Sequence, residues 1–222
     1  MQIIQVGLSH KTAPIELREH LALSETDLPA ALRMLCPSCD PCSVQEAAVL
    51  STCNRLEVYA AVQNAEGGQQ QIGECLETTS GVPQAVFVPH LQVRRDEDAV
   101  AHLCTVACGL DSMILGESQI QGQVAQAHRL AHCHEVAGTA INALFRSALR
   151  AGKRARSETA IARHAVSISH AAVELASQIF DDLTRKSILL IGAGEMAELA
   201  AKNLVSHGVH KLAVVNLSLI HI

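Results

Sequence analysis

The sequence predicts an α/β chain in two parts, an α+β domain over residues 1–160 followed by the start of a Rossmann-type domain over 161–222. Three observations predict it. Short apolar strand-like runs and 3.6-period apolar stripes alternate along the first 160 residues. A buried-strand run, Ser187-Ile-Leu-Leu-Ile191, enters the glycine motif Gly192-Ala-Gly194-Glu-Met-Ala197. Hydrophobic residues make up 49% of the 222 residues and charged residues 18%, which suffices for a packed core and excludes disorder over most of the length.

Taken in order, Ile3 to Leu8 reads as a strand and the segment from Ser9 to Pro14 as a turn. A helix is expected from about Pro14, with Glu16 and Glu19 favouring the positive end of its dipole. Residues 36–43, which carry two prolines, read as a loop. Ala47 to Leu50 and Leu56 to Ala60 read as two strands around the polar turn 51–54. Residues 64–70, with Gly67 and Gly68, read as another loop. From Asp96 the pattern turns helical, with Val100, Leu103, Ala107 and Leu110 on one face. Gly109 to Gly116 interrupts it, and Ile120, Val124, Ala127 and Leu130 resume it. Ile168, Ala171, Ala172, Leu175, Ala176 and Ile179 form a second amphipathic stripe. After Ile191, a helix from Glu198 to Ser206 and a strand from Leu212 to Asn216 complete one βαβ unit.

Composition narrows the functional classes. Aromatics are 2% of the chain, with no Trp, one Tyr and three Phe, too few for a base-stacking surface. No apolar run reaches the 18 residues of a membrane span, and the N-terminus lacks a signal-peptide pattern, so a soluble cytoplasmic protein is expected. The eight cysteines are expected to be reduced, mostly as small core residues. Net charge is -5 but unevenly spread. Residues 1–145 hold 7 Lys and Arg against 16 Asp and Glu, whereas residues 146–163 hold 6 against 1.

Two motifs carry chemistry. In the glycine motif, Gly192 permits a tight turn, Gly194 lets backbone approach a diphosphate, and Ala197 allows close helix–strand packing, with the diphosphate on the helix N-terminus. The acid or base usual about 20 residues further on is missing at Asn216-Leu217-Ser218. The second motif is the turn Ser51-Thr52-Cys53-Asn54-Arg55, where a thiol among polar neighbours is placed to act as an acyl acceptor. A rival cluster, Cys36-x-x-Cys39-x-x-Cys42, has metal-ligand spacing but no properly spaced fourth ligand, so no metal site is expected.

Ser-Thr-Cys-Asn-Arg-Leu-Glu at 51–57, Gly-Leu-Asp-Ser-Met-Ile-Leu-Gly-Glu-Ser-Gln-Ile at 109–120, Gly-Leu-Ser-His-Lys-Thr-Ala-Pro at 7–14, the basic block at 145–159 and Ile-Gly-Ala-Gly-Glu-Met at 191–196 together resemble the glutamyl-tRNA reductase family, in the same order. The resemblance implies an NADPH-dependent oxidoreductase that reduces glutamyl-tRNA to glutamate-1-semialdehyde in tetrapyrrole (porphyrin, haem) biosynthesis. It implies Cys53 as nucleophile, His102 as a histidine important for activity, and Thr52, Cys53, Asn54, Arg55, Ser112, Glu117, Ser118, Gln119 and Gln123 as substrate-binding residues. Gly192, Ala193, Gly194, Glu195, Met196 and Ala197 would hold NADPH. Arg55 suits a substrate carboxylate because a guanidinium grips carboxylates through paired hydrogen bonds. Ser112, Gln119 and Gln123 suit an amino-acid head group. Arg146, Arg150, Lys153, Arg154 and Arg156, on a predicted helix, suit tRNA phosphates.

The family continues past this chain's length with the rest of its NADPH domain and a homodimerising helical domain, so the chain reads as C-terminally truncated, its tail after Asn216 departing from the family's Asn-Arg-Thr. Expected partners are glutamyl-tRNA and a downstream aminotransferase. The alternatives are a fragment limited to thioester formation or esterase activity, and a non-enzymatic tRNA- or metal-binding module.

Overall fold

A computed structural model describes residues 1–37, 43–117, 119–161 and 168–216. It divides into two units, Met1–Arg163 and His164–Ile222.

The first unit is built on four antiparallel strands in the order β2-β3-β1-β4. Strand β1 (Gln2–Ser9) pairs with β3 (Arg55–Val62) from Gln2↔Val62 to Ser9↔Arg55. Strand β2 (Val44–Ser51) covers the other edge of β3, and the short β4 (Gln92–Arg95) covers that of β1. Every residue of β3 is buried, the charged Arg55 and Glu57 included, as in a strand covered on both faces. Helices α1 (Ile15–Leu21), α2 (Leu28–Leu35) and α3 (Ala65–Ser80) pack together on one side of the sheet, and a short helix α4 (Gln84–Phe87) follows. Helices α5 (Asp96–Ala107), α6 (Gln119–Cys133) and α7 (Thr139–Glu158) pack on one another and on the sheet. The period-2 alternation of β3 sorts its side chains between these layers. Val62 meets α3 at Gly68, whereas Glu57 and Tyr59 meet α5 and α7 through His102 and Phe145.

Two sequence expectations are corrected here. Residues 64–70 are not a loop, since α3 begins at Ala65. The Asn64 side chain accepts from the backbone N–H groups of Glu66 and Gly67 and caps the helix. The paired glycines are packing residues: a Cβ at Gly68 would stand 2.5 Å from Val62 Cγ1. The helix expected from Glu198 instead begins at Glu195.

The second unit holds α8 (Ile168–Phe180), β5 (Ser187–Ile191), α9 (Glu195–Ser206) and β6 (Lys211–Val215), with β5 and β6 parallel. This is the expected βαβ unit. Its buried cluster is Val173, Leu183, Leu204 and Val209. The amphipathic helix expected there is α8, and its apolar stripe is largely exposed, with Leu175 at 56% and Ile179 at 63%. Among the described residues no helix is long and apolar enough to cross a membrane.

Candidate functional site

Thr52, Cys53 and Asn54 form the tight connection between β2 and β3, so the register of the hairpin decides where the thiol is presented. Thr52 N–H donates to the Arg55 carbonyl at 2.8 Å, closing the turn. The Thr52 hydroxyl oxygen accepts from the backbone N–H groups of Asn54 and Arg55, both at 3.2 Å. Two further elements pin the turn from outside. His10, just past β1, donates its backbone N–H to the Asn54 carbonyl at 2.8 Å. Arg18 on α1 donates through Nη1 to the Cys53 carbonyl at 2.6 Å and to Asn54 Oδ1 at 3.3 Å. Cys53 is thus exposed on backbone whose polar groups are held by three separate parts of the chain. Cys75 and Cys108 are buried, and burial pushes the Cys75 thiol up to about 11.

Behind the turn, Arg55, Glu57 and Tyr59 share one face of β3 and form a buried polar row. Arg55 Nη1 donates to Glu57 Oε1 at 2.8 Å and to Asp111 Oδ2 at 3.0 Å, and Nη2 donates to the Asp111 carbonyl at 2.7 Å. Glu57 Oε1 also lies 2.9 Å from His102 Nε2 on α5, and Glu57 Oε2 accepts from the Tyr59 hydroxyl at 2.6 Å. Lys11 closes the row with an ion pair to Asp111. Gly7 makes room for this arrangement. It faces Glu57 across β1–β3, and a Cβ there would stand 2.3 Å from the Leu56 carbonyl and 3.0 Å from Glu57 Cγ.

The electrostatics follow from burial and pairing. Burial pushes the Glu57 carboxyl up, but the hydrogen bond from His102 and the Arg55 charge outweigh it and hold it below the usual range. Burial likewise raises Asp111, and Lys11 and Arg55 bring it below its ordinary value. Burial, seconded by the Arg55 charge, lowers His10 below 6.5. Burial and the Glu57 charge push Tyr59 well above 10. Lys11, Arg18 and Arg55 set three cations against the two carboxylates Glu57 and Asp111, leaving one positive charge in excess beside Cys53 when both histidines are neutral. Arg18 pairs with no carboxylate among the described residues.

Of the residues expected at a site, the structure ties Thr52, Cys53, Asn54, Arg55 and His102 into one hydrogen-bonded cluster, with Ser112 adjoining Asp111. Arg55 differs from expectation: it is no open fork, because Glu57 and Asp111 occupy Nη1 and the Asp111 carbonyl takes an Nη2 hydrogen. The buried atoms His10 Nδ1, Arg18 Nε and Ser112 Oγ have no hydrogen-bond partner among the described residues. Among the described residues, Glu117 and Gln123 make no side-chain hydrogen bond to the cluster. The loop carrying Glu117 is held by Arg156, which donates to the Gly116 carbonyl at 3.4 Å and the Glu117 carbonyl at 2.6 Å. Gln119 opens α6, and Ser118 lies outside the described residues. So do Cys39 and Cys42 of the rival cysteine cluster; among the described residues no three His, Cys, Asp or Glu side chains are placed to hold a metal. His10, Lys11, Arg18, Glu57, Tyr59 and Asp111 join the site only through the fold. His10, Lys11, Glu57 and Asp111 lie inside the quoted motif runs, whereas Arg18 and Tyr59 carry no local signal.

In the second unit, Gly192 has φ +110°, a conformation that favours glycine. Gly194 caps α9 with no side-chain hydrogen bond at φ -76°, where any residue fits, and a Cβ there would meet nothing within 4 Å. Neither backbone nor internal packing requires glycine at 194. The open space beside the first-turn N–H groups of α9 fits a diphosphate cradle, with Gly192, Ala193, Gly194, Glu195, Met196 and Ala197 around it.

The first unit presents an exposed thiol on a pinned hairpin before a buried ion row, and the second carries a glycine-loop βαβ unit. The comparisons specify the class. Residues 6–159 match the family model for the N-terminal domain of glutamyl-tRNA(Glu) reductase, and residues 174–221 match that for shikimate/quinate 5-dehydrogenase. The chain is 48% identical over 219 residues to a glutamyl-tRNA reductase of Geobacillus kaustophilus, covering 99% of this chain and 48% of that protein. It is 46% identical over 219 residues to one of Syntrophotalea carbinolica, covering 99% and 49%. The solved glutamyl-tRNA reductase of Methanopyrus kandleri superposes with TM-score 0.63 at 36% identity, over 97% of this chain and 49% of that one. The chain belongs to the glutamyl-tRNA reductase family, and it spans about half the length of the relatives it matches.

Proposed function

We propose that the chain carries the acyl-transfer half of an NADPH-dependent reduction of glutamyl-tRNA to glutamate-1-semialdehyde, with Cys53 as the acyl acceptor. The observation that carries the reading is the exposed Cys53 on a turn pinned by His10, Arg18 and Thr52, in a family whose members bear that name. The Cys53 thiolate attacks the ester carbonyl joining glutamate to the tRNA 3′ end. The C–O bond to ribose breaks, the acyl carbon becomes a thioester, and the leaving oxygen takes up a proton. His102 is the candidate donor, its imidazole oriented by the contact with Glu57. The excess positive charge from Lys11, Arg18 and Arg55 favours docking of the substrate side-chain carboxylate. Thr52, Asn54, Arg55, Ser112, Glu117, Ser118, Gln119 and Gln123 are proposed around the glutamyl group; Arg55 serves there chiefly by setting the charge and position of the turn. NADPH, on the backbone of 192–197, would supply the hydride that takes the thioester to the aldehyde.

Incubating the purified chain with glutamate-labelled glutamyl-tRNA, with and without NADPH, tests the reading. Label bound to protein in the wild type and missing in Cys53→Ser supports it. A folded wild type that takes up no label refutes it.

A further inference from the structure

We propose that Arg146, Arg150 and Lys153 form a phosphate-contact stripe on α7 that seats the ribose–phosphate backbone of the incoming nucleic acid; this rests on the reading above and names the surface that binds its tRNA. The structure sorts the five basic residues of the helix by what they already hold. Arg154 is bound through Nε and Nη2 to Glu158, both at 3.0 Å. Arg156 turns inward onto the Gly116 and Glu117 carbonyls. Arg146, Arg150 and Lys153 are exposed and pair with no carboxylate among the described residues. Among the described residues Arg146 donates only to a carbonyl of its own helix, that of Asn142, at 3.0 Å.

Their spacing, i, i+4 and i+7, stacks the three on one face over about 10 Å of helix. Like charges at i, i+4 and i+3 repel one another on a helix. A merely solvated face relieves this by interleaving acids, and α7 has no acid before Glu158. The stripe also stands out from its background, since residues 1–145 carry nine more acidic than basic residues. A polyanion is therefore the complementary partner, and it is attracted to this face and repelled elsewhere. With so few aromatic side chains in the chain, backbone contact is favoured over base stacking.

The stripe is fixed to the site. Phe145, beside Arg146, packs edge-on against Tyr59 with ring centroids 5.6 Å apart, and Arg156 from the same helix holds the loop that carries Glu117. A phosphate backbone on α7 is thus held at a set position relative to the ion row behind Cys53.

The test compares wild type, Arg146→Gln/Arg150→Gln/Lys153→Gln and Arg154→Gln, each with its helix content checked. Binding of uncharged tRNA(Glu) is measured from 0.05 to 0.3 M salt, and acylation of Cys53 is measured with a small glutamyl thioester. The triple variant is expected to bind tRNA roughly 30- to 100-fold more weakly at 0.15 M salt, with its log–log salt slope reduced by about two to three. It should accept the small thioester like wild type, and Arg154→Gln should bind tRNA nearly normally. An unchanged slope in the triple variant overturns the proposal, as does an equal loss per charge in Arg154→Gln. So does a stripe-dependent affinity for phosphatidylserine vesicles with tRNA binding unaffected. If wild type takes no acyl group from either donor while the stripe-dependent tRNA binding persists, the acyl-transfer reading fails and the stripe stands.

Discussion

Arg18 holds the nucleophile's backbone from a helix that has no other link to the chemistry. Arg18→Met is expected to slow Cys53 acylation by roughly 10²-fold, the scale of a misplaced reacting group, with partial recovery in Arg18→Lys; single-turnover labelling checks both. Glu57 sits between Arg55, Tyr59 and His102. Removing the Glu57 charge leaves Arg55 with Asp111 alone and weakens a buried charged hydrogen bond, so Glu57→Gln is expected to lose about 1–3 kcal/mol, read from urea unfolding. The signs of the pH dependence follow from the directions of shift. Glu57 and Asp111 are held below 4.5 and 3.8. Their contribution is complete above those values and is lost as pH falls through the lower, folded-state range. His10 is held below 6.5 by burial first and Arg55 second. As pH drops past 6.5 an unfolded chain takes up a proton that the folded one resists, and stability falls. The wild type is therefore expected to lose more stability between pH 7.5 and 5.5 than His10→Gln does, in paired urea titrations.

At the scale of elements, the β2–β3 hairpin sets the site and Gly7 lets it close. Gly7→Val would drive side-chain atoms into the Leu56 carbonyl and the Glu57 side chain. It is expected to destabilise the sheet by about 1–3 kcal/mol and to impair acylation together with stability, checked by thermal unfolding beside the labelling assay. The hairpin was legible in the sequence because strand propensity and a polar turn coincide there. Helix α3 was not, because Gly67 and Gly68 are breakers by propensity and only the tertiary approach of β3 gives them another purpose. The site was legible in part for the same reason. Cys53 and its neighbours are consecutive, so a motif shows them. Glu57 and Tyr59 depend on the alternation of a strand buried on both faces, and Asp111 and Arg18 reach the turn only through folding. Arg55 looked like an open grip because its two carboxylate partners are brought to it by a strand face and a distant loop.

At the scale of the molecule, the two units rest on unequal cores. The first joins strands β1 to β4 and helices α1 to α7 around one large cluster, whereas the second buries Val173, Leu183, Leu204 and Val209. Local stability follows buried apolar contact, so amides of β5 and α9 are expected to exchange with solvent well before those of β1 and β3 in native-state hydrogen exchange. The acyl-accepting chemistry is assigned wholly to the first unit, whose turn, ion row and α7 stripe are all internal to it. The most direct test of that assignment is to locate the acyl group. Wild-type chain is exposed to glutamyl-tRNA without NADPH, quenched in acid, digested and mapped by mass spectrometry. A glutamyl adduct is expected on the peptide containing Cys53 and on none of the other seven cysteines. An adduct on another cysteine, or none from a folded chain, would contradict the assignment.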